Sequence, residues 1–125
     1  MSETTRPVAA GPAEVLDLDA LKAFAPDKRV RKMLFKTDQL WSEMACYEPG
    51  QSTPMHAHPR EEEAILVLEG AAHMEIGGTE VVVPAGSIVR FPENVMHDVR
   101  NLGPGRCVIM FIKVNPKVLK RSPDG

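Results

Sequence analysis

Cysteine is almost missing from this chain. Its 125 residues contain two, Cys46 and Cys107, far apart and outside any C-x-x-C or zinc-finger spacing. Nothing in that spacing indicates a disulfide framework, and a Cys46–Cys107 disulfide is only the alternative to free thiols. Each cysteine falls in an expected strand, which reads as a buried free thiol suited to a reducing cytosol. Long apolar runs are missing too, since no segment approaches the roughly 20 residues of a membrane span. Residues 1–15 are polar, with alanine and proline, and lack the apolar core of an export signal. The chain is expected to be soluble and cytoplasmic, with no membrane partner. An excess of either charge is also lacking. The net charge of −2 offers no electrostatic case for nucleic acid, which is usually held by a basic patch.

What is present describes one domain, able to bury roughly two-thirds of its unfolded surface and so to build a core without staples. Residues 1–14, with Pro7, Gly11 and Pro12, read as a flexible arm, which with a short docking segment extends to residue 28. Val15, Leu16, Leu18, Leu21 and Phe24 give that segment its apolar side chains. Asp17 or Asp19 could cap a helical turn from Ala20 onward, and a docking strand over 14–18 is the alternative. Residues 29–114 form the main domain, with strands expected over 29–36, 39–47, 54–58, 62–69, 71–76, 79–83, 87–91, 96–101 and 106–114. Gly77-Gly78 is a two-residue hairpin signal, and Pro84 to Gly86, Pro92 to Asn94 and Asn101 to Gly105 mark further turns. Many short strands with little helix indicate an all-β sandwich or barrel. Residues 115–125 read as a polar tail.

His56, His58 and Glu63 carry the chemistry. Two residues apart in a strand, both imidazoles would leave the same face. Pro59 to Glu62 then gives enough chain to turn a corner before Glu63 opens a largely buried strand ended by Gly70. Two imidazoles and a carboxylate on neighbouring strands suit a first-row divalent ion with open coordination positions. A third candidate imidazole, His97, lies beyond two proline-marked turns.

At these residues the chain resembles the cupin superfamily. Gly50, His56, His58, Glu63 and Gly70 satisfy its first motif, and Gly78, Pro84, Gly86, His97 and Asn101 its second, with a long gap before the histidine. The resemblance covers roughly residues 40 to 113 and implies a double-stranded β-helix, or jelly-roll, barrel. It also implies one divalent transition metal (Fe, Mn, Ni, Zn or Cu) on His56, His58, Glu63 and His97. Motif spacing forward from His58 allows Glu62 or Glu63; spacing back from Gly70 selects Glu63, and strand alternation supports it by placing Glu63, Ile65 and Val67 on one inward face. Small cupins usually pair through their sheets, so a homodimer is expected.

The remaining residues have plainer roles to compete with. Tyr47, the only tyrosine, and Arg90 are weak catalytic candidates; a packed aromatic and an outward-facing charge are the competing readings. His73 is expected to face outward. The basic run from Lys28 to Lys32 reads as a solvated strand edge, with an acidic-substrate site as the alternative. Asn101 should stabilise a turn. Met44, Ile65, Val67, Phe91 and Phe111 are expected to line a largely hydrophobic pocket.

Three-His-one-Glu sites resemble those of quercetinase-like dioxygenases, oxalate-cleaving cupins and polyketide-cyclase cupins. The resemblance therefore implies a metal-dependent enzyme for a small oxygen-rich or aromatic metabolite such as an enediol, a diketone or a hydroxy-carbonyl. An apolar pocket with few proton donors leans toward dioxygenation. The alternatives are a redox-inactive isomerase, cyclase or lyase, and a non-catalytic small-ligand binder.

Overall fold

A computed structural model describes residues 8–10 and 12–115. In chain order the elements are β1 (Val8–Ala10), β2 (Ala13–Val15), α1 (Leu18–Leu21), β3 (Val30–Lys36), β4 (Leu40–Tyr47), β5 (Ser52–His56), β6 (Glu63–Glu69), β7 (Ala71–Ile76), β8 (Thr79–Pro84), β9 (Ile88–Phe91), β10 (His97–Arg100) and β11 (Cys107–Val114). One antiparallel sheet has the order β3-β4-β11-β6-β9 and faces a second of order β5-β10-β7-β8. The fold is the all-β double-stranded β-helix expected. β1 and β2 pair as a small antiparallel hairpin within the expected arm. Residues 1–7 and 11 of that arm and the tail from residue 116 lie outside the described residues.

The two sheets enclose the main core, in which Val67, Met74, Val83, Phe91, Val99 and Ile109 come from both walls. Alternation on β6 shows the logic, since Glu63, Ile65 and Val67 are buried while Ala64 and Leu66 are only partly so. β4 breaks that alternation, being buried continuously from Ser42 to Tyr47. The cause is a second core on the outer face of the five-stranded sheet. There Leu16, Leu18, Leu21 and Phe24 pack over Leu34, Met44, Cys46 and Val108. A strand covered on both sides loses its polar face. Asp17 caps the short helix, its side chain accepting from the Ala20 amide at 3.3 Å. The helix therefore begins two residues earlier than the sequence suggests.

Most expected strands fall within a residue or two of the observed ones, and β5 differs in a way that matters. It starts at Ser52 and ends at His56. Gly50 and Asn101 already exchange backbone bonds with the neighbouring segment, Gly50 N–H donating to Asn101 and Asn101 N–H to Gln51. His58 therefore stands in the loop after the strand and does not share a strand face with His56. Pro59 follows it directly, and a proline bars the chain from continuing a regular ladder there.

Candidate metal centre and its cavity

His56 closes β5 and His97 opens β10, and the two are direct cross-strand partners. Glu63 opens β6 on the facing sheet and points inward. Its own cross-strand partner, Phe91, stacks on the His97 ring at 4.0 Å and 15°. His58 reaches in from the loop. Each of the four side chains offers one ligand atom, and all four atoms lie within 4.8 Å of one another. Donors sharing one ion at about 2.1 Å must lie roughly 3–4 Å apart, so the spacing is close to that of a coordination sphere.

The hydrogen bonds behind the rings decide which nitrogens face the centre. His56 Nδ1 lies 2.8 Å from the Pro54 carbonyl and His97 Nδ1 2.9 Å from the Val95 carbonyl. A carbonyl only accepts, so each Nδ1 carries a proton, and Nε2 is the nitrogen left to face the centre. His97 Nε2 is then 3.1 Å from Glu63 Oε1, and His58 Nε2 is 3.4 Å from the same oxygen. His97 is 1% exposed and Glu63 5%. Buried acceptors converging on one point need positive charge between them, a proton or a cation. The donor set of three imidazoles and one carboxylate fits a first-row divalent ion. Burial pulls the His97 pKa down, but the Glu63 carboxylate and the Val95 carbonyl outweigh it and leave the value raised. At His58 burial dominates and, helped by the Lys113 ammonium, lowers the pKa.

Beside the four ligands opens a cavity of about 190 Å³, lined on the five-stranded sheet by Glu43, Ala45, Ile65, Ile109, Phe111 and Lys113 and across from it by Thr53 and Val99. Of the expected pocket residues, Ile65 and Phe111 line it. Met44 does not. Glu43, Ala45 and Tyr47 take the inward positions of β4, so Met44 turns outward into the second core. Val67 and Phe91 are buried in the main core, away from the cavity wall. The wall is mostly apolar, as expected, but Arg29, Arg31, Glu43 and Lys113 line it as well. β3 is an edge strand, as the basic run suggested, yet its alternation turns Arg31 inward beside Ala45 while Lys32 pairs with the outward Met44.

Arg90 stands outside. Its side chain is 66% exposed on β9 and lies 3.8 Å from Glu62, with no part in the cavity. Tyr47 does line the cavity, but its hydroxyl sits 2.6 Å from Thr53 Oγ1 and its ring is fully buried. Burial pushes the phenol up to about 12, so it stays protonated near neutrality. With one tyrosine in the chain, ultraviolet titration reads this residue alone. The tyrosinate band should emerge only well above the usual value of about 10. Because the folded value is the raised one, its stabilising share is complete below about pH 10 and lost as pH rises toward 12. A midpoint near 10 in the folded protein would contradict this burial. Asn101 holds its turn as expected, donating to the Tyr47 and Gly105 carbonyls and accepting from the Gly103 amide. His73 lies on the outward face of β7, opposite the exposed Val82.

Arg31, Trp41, Glu43 and Lys113 also line the cavity, although none of them was among the expected pocket residues. Each was legible in principle, for counting back by twos from Tyr47 gives Ala45, Glu43 and Trp41, and Lys113 lies opposite Glu63 in the β11–β6 register. They form a connected set. Lys113 Nζ is 3.1 Å from Glu61 and 4.6 Å from the Trp41 ring centre. Trp41 Nε1 donates to Glu43 Oε2 at 2.9 Å, and Arg31 holds Glu43 Oε1.

A family model described as the cupin domain matches residues 43–113, and the chain belongs to the cupin family. The germin-like protein 1-1 of Oryza sativa subsp. japonica is 35% identical over 51% of this chain and 32% of its own length. The chain thus spans about a third of that relative. The TT1209 protein from Thermus thermophilus is 22% identical with a TM-score of 0.76, over 80% of this chain and 95% of that one. A conserved protein with a double-stranded β-helix domain from Klebsiella pneumoniae is 21% identical with a TM-score of 0.74, over 80% of this chain and 88% of that one. At such identities the two structures share the fold. Among the described residues no helix is long and apolar enough to cross a membrane.

Proposed function

We propose that the protein is a metal-dependent enzyme acting on a small oxygen-rich metabolite, an enediol, diketone or hydroxy-carbonyl. The observation that carries this reading is the convergence of His56, His58, Glu63 and His97 within 4.8 Å, beside a cavity large enough for a ligand. A bound divalent ion would supply Lewis acidity and, if redox-active, oxidation chemistry with O₂. The chain's own residues orient and exclude. The Pro54 and Val95 carbonyls fix two imidazoles, Phe91 backs His97, and Ile65, Ile109 and Phe111 exclude water from one wall. The cavity of about 190 Å³ is smaller than the roughly 300–1,000 Å³ of drug-sized sites, which favours an acyclic or single-ring substrate.

Dioxygenation is the first reading for a three-His-one-Glu donor set. Redox-neutral isomerase, cyclase or lyase chemistry is the second, and Glu43 favours it. A buried carboxylate in the same cavity is a group able to move a proton on a substrate, where an apolar wall could not.

Elemental analysis of protein purified without a metal-affinity tag, paired with O₂-consumption assays on diketones and catechols, tests both readings. About one Fe, Mn, Ni or Cu per chain with O₂ uptake is the result expected of a dioxygenase. One Zn per chain, with turnover under anaerobic conditions, would establish the redox-neutral reading. A chain that takes up no metal even on reconstitution would overturn both and leave a non-catalytic binder.

A further inference from the structure

The cavity has a second polar pole, and it lies opposite the candidate metal centre. Arg31 is on β3 and Glu63 on β6, three strand spacings apart in the same sheet and offset along it, because Arg31 is level with Ala45, Ile109 and Val67; together these put roughly 19 Å between the backbones. Both face the space between the sheets. Long side chains reaching inward from both sides leave a gap that a molecule of a few bonds would span.

The state of Arg31 is informative. Its Nε donates to Glu43 Oε1 at 3.0 Å, and one terminal nitrogen, Nη2, lies 2.9 Å from that same oxygen. Glu43 is itself buried, and its other oxygen accepts from Trp41 at 2.9 Å. One edge of the guanidinium is therefore anchored to a buried carboxylate that is held from a second side. The hydrogens on Nη1 and the second hydrogen on Nη2 remain, and the side chain, which lines the cavity, is 56% exposed. That is the end-on pair of donors a carboxylate meets with two parallel hydrogen bonds.

The other cations of the cavity are differently engaged. Lys113 is nearly buried and committed to Glu61 and the face of Trp41. Arg29 donates to the Ser52 carbonyl at 3.1 Å. Three cations and two carboxylates line the cavity, and a divalent ion would make the excess of positive charge larger.

We propose that Arg31, braced by Glu43, is the anchor for a carboxylate on the substrate, so that the substrate class is a small keto or hydroxy acid. Its carbonyl end lies at the four-ligand centre and its carboxylate end on the Nη1–Nη2 edge of Arg31. The inference rests on the metal-centre reading above, and its test separates the two.

The probes are acetylacetone and 2,4-dioxopentanoate, which share the β-diketone and differ in a carboxylate replacing one methyl. Both are titrated calorimetrically into protein reconstituted with Ni(II), an ion such N/O donor sets hold more tightly than Mn(II) or Fe(II), with metal content measured on the same samples. Wild type is expected to bind the acid at least about tenfold more tightly, as a two-point charged contact warrants. Arg31→Met should remove that preference while leaving acetylacetone affinity and metal content unchanged. Because Arg31→Met strands the Glu43 carboxylate, the double variant Arg31→Met/Glu43→Gln, which removes both partners, should give the same loss in a fully folded protein. Arg31→Lys should restore only part of the preference. Equal affinities for the two probes on fully metallated wild type would overturn the carboxylate anchor alone, as would a preference that survives the double variant. Failure of wild type to hold Ni(II) would overturn the metal-centre reading and this inference with it.

Discussion

Glu63→Ala and His58→Ala should emerge from purification folded and without metal. Glu63 is the point on which the site converges, its Oε1 lying 3.1 Å from His97 Nε2 and 3.4 Å from His58 Nε2. Removing it takes away the only carboxylate of the donor set and leaves three neutral imidazoles. Outer-shell substitutions at metal sites cost about 10–100-fold in affinity, so loss of a direct ligand should exceed about 100-fold. The fold itself should tolerate the change. In the metal-free protein Glu63 keeps a hydrogen bond to His97 and helps to hold that imidazole's pKa up, so the metal-free alanine variant should stay folded and melt modestly below the wild type. Added metal supplies the contrast. An ion present at about 100 times its dissociation constant stabilises the folded state by about 2.7 kcal/mol, so the wild-type transition should move upward with added metal while both variants stay put. Thermal melts with and without metal, together with elemental analysis, read this directly. Retention of one metal per chain in both variants would remove Glu63 and His58 from the site.

The four candidate ligands, which the fold brings together, were legible in the sequence because their spacing does not depend on distant parts of the fold. Gly50, Gly70, Gly78 and Gly86 all take positive φ and sit at fixed distances from the residues they punctuate, so the turns and the ligands are read together. The facing of pocket residues was harder. Met44 looks like a pocket residue because it is apolar and lies in an apolar stretch, but β4 is apolar on both faces. The outer covering comes from Leu16, Leu18, Leu21 and Phe24, which are distant in sequence. Pattern alone cannot tell the two faces apart when each is buried. The basic run does form a solvated strand edge, as expected, with Arg31 exposed on β3, but that reading is incomplete. A charged edge strand normally faces solvent, and here alternate residues turn into a cavity in which the buried Glu43 waits as a counter-charge. The charged Arg31–Glu43 pair in the cavity is thus a property of strand order, with β3 placed beside β4, and not of any local motif.

Strand order and register also bear on the metal centre from the far end of β6. Gly70 alone links β6 to β7, with φ at +74°. A side chain there would be strained on its own account by about 1–2 kcal/mol. More serious is what the added carbon meets, namely the Arg106 carbonyl oxygen, with the Arg106 carbonyl carbon and Cys107 Cα each at 3.2 Å. All three are backbone atoms at the start of β11, and the neighbouring Cys107 and Val108 are fully buried, so nothing flexible can yield. Gly70→Ala should therefore destabilise the domain by about 3–4 kcal/mol, the range reached when strain and overpacking coincide. Gly86→Ala is the matched control. It has φ at +88° and nothing within 4 Å of the added carbon, so it should cost only about 1 kcal/mol. The consequence reaches the site because β11 and β6 are one ladder. Pushing β11 away at Arg106 strains the register that sets Lys113 opposite Glu63, so Gly70→Ala should weaken metal binding as well as stability, and Gly86→Ala should not. Denaturant midpoints and metal titrations on the two variants distinguish them. Equal stabilities would mean that the start of β11 gives way, and that the glycine is needed there for its φ alone.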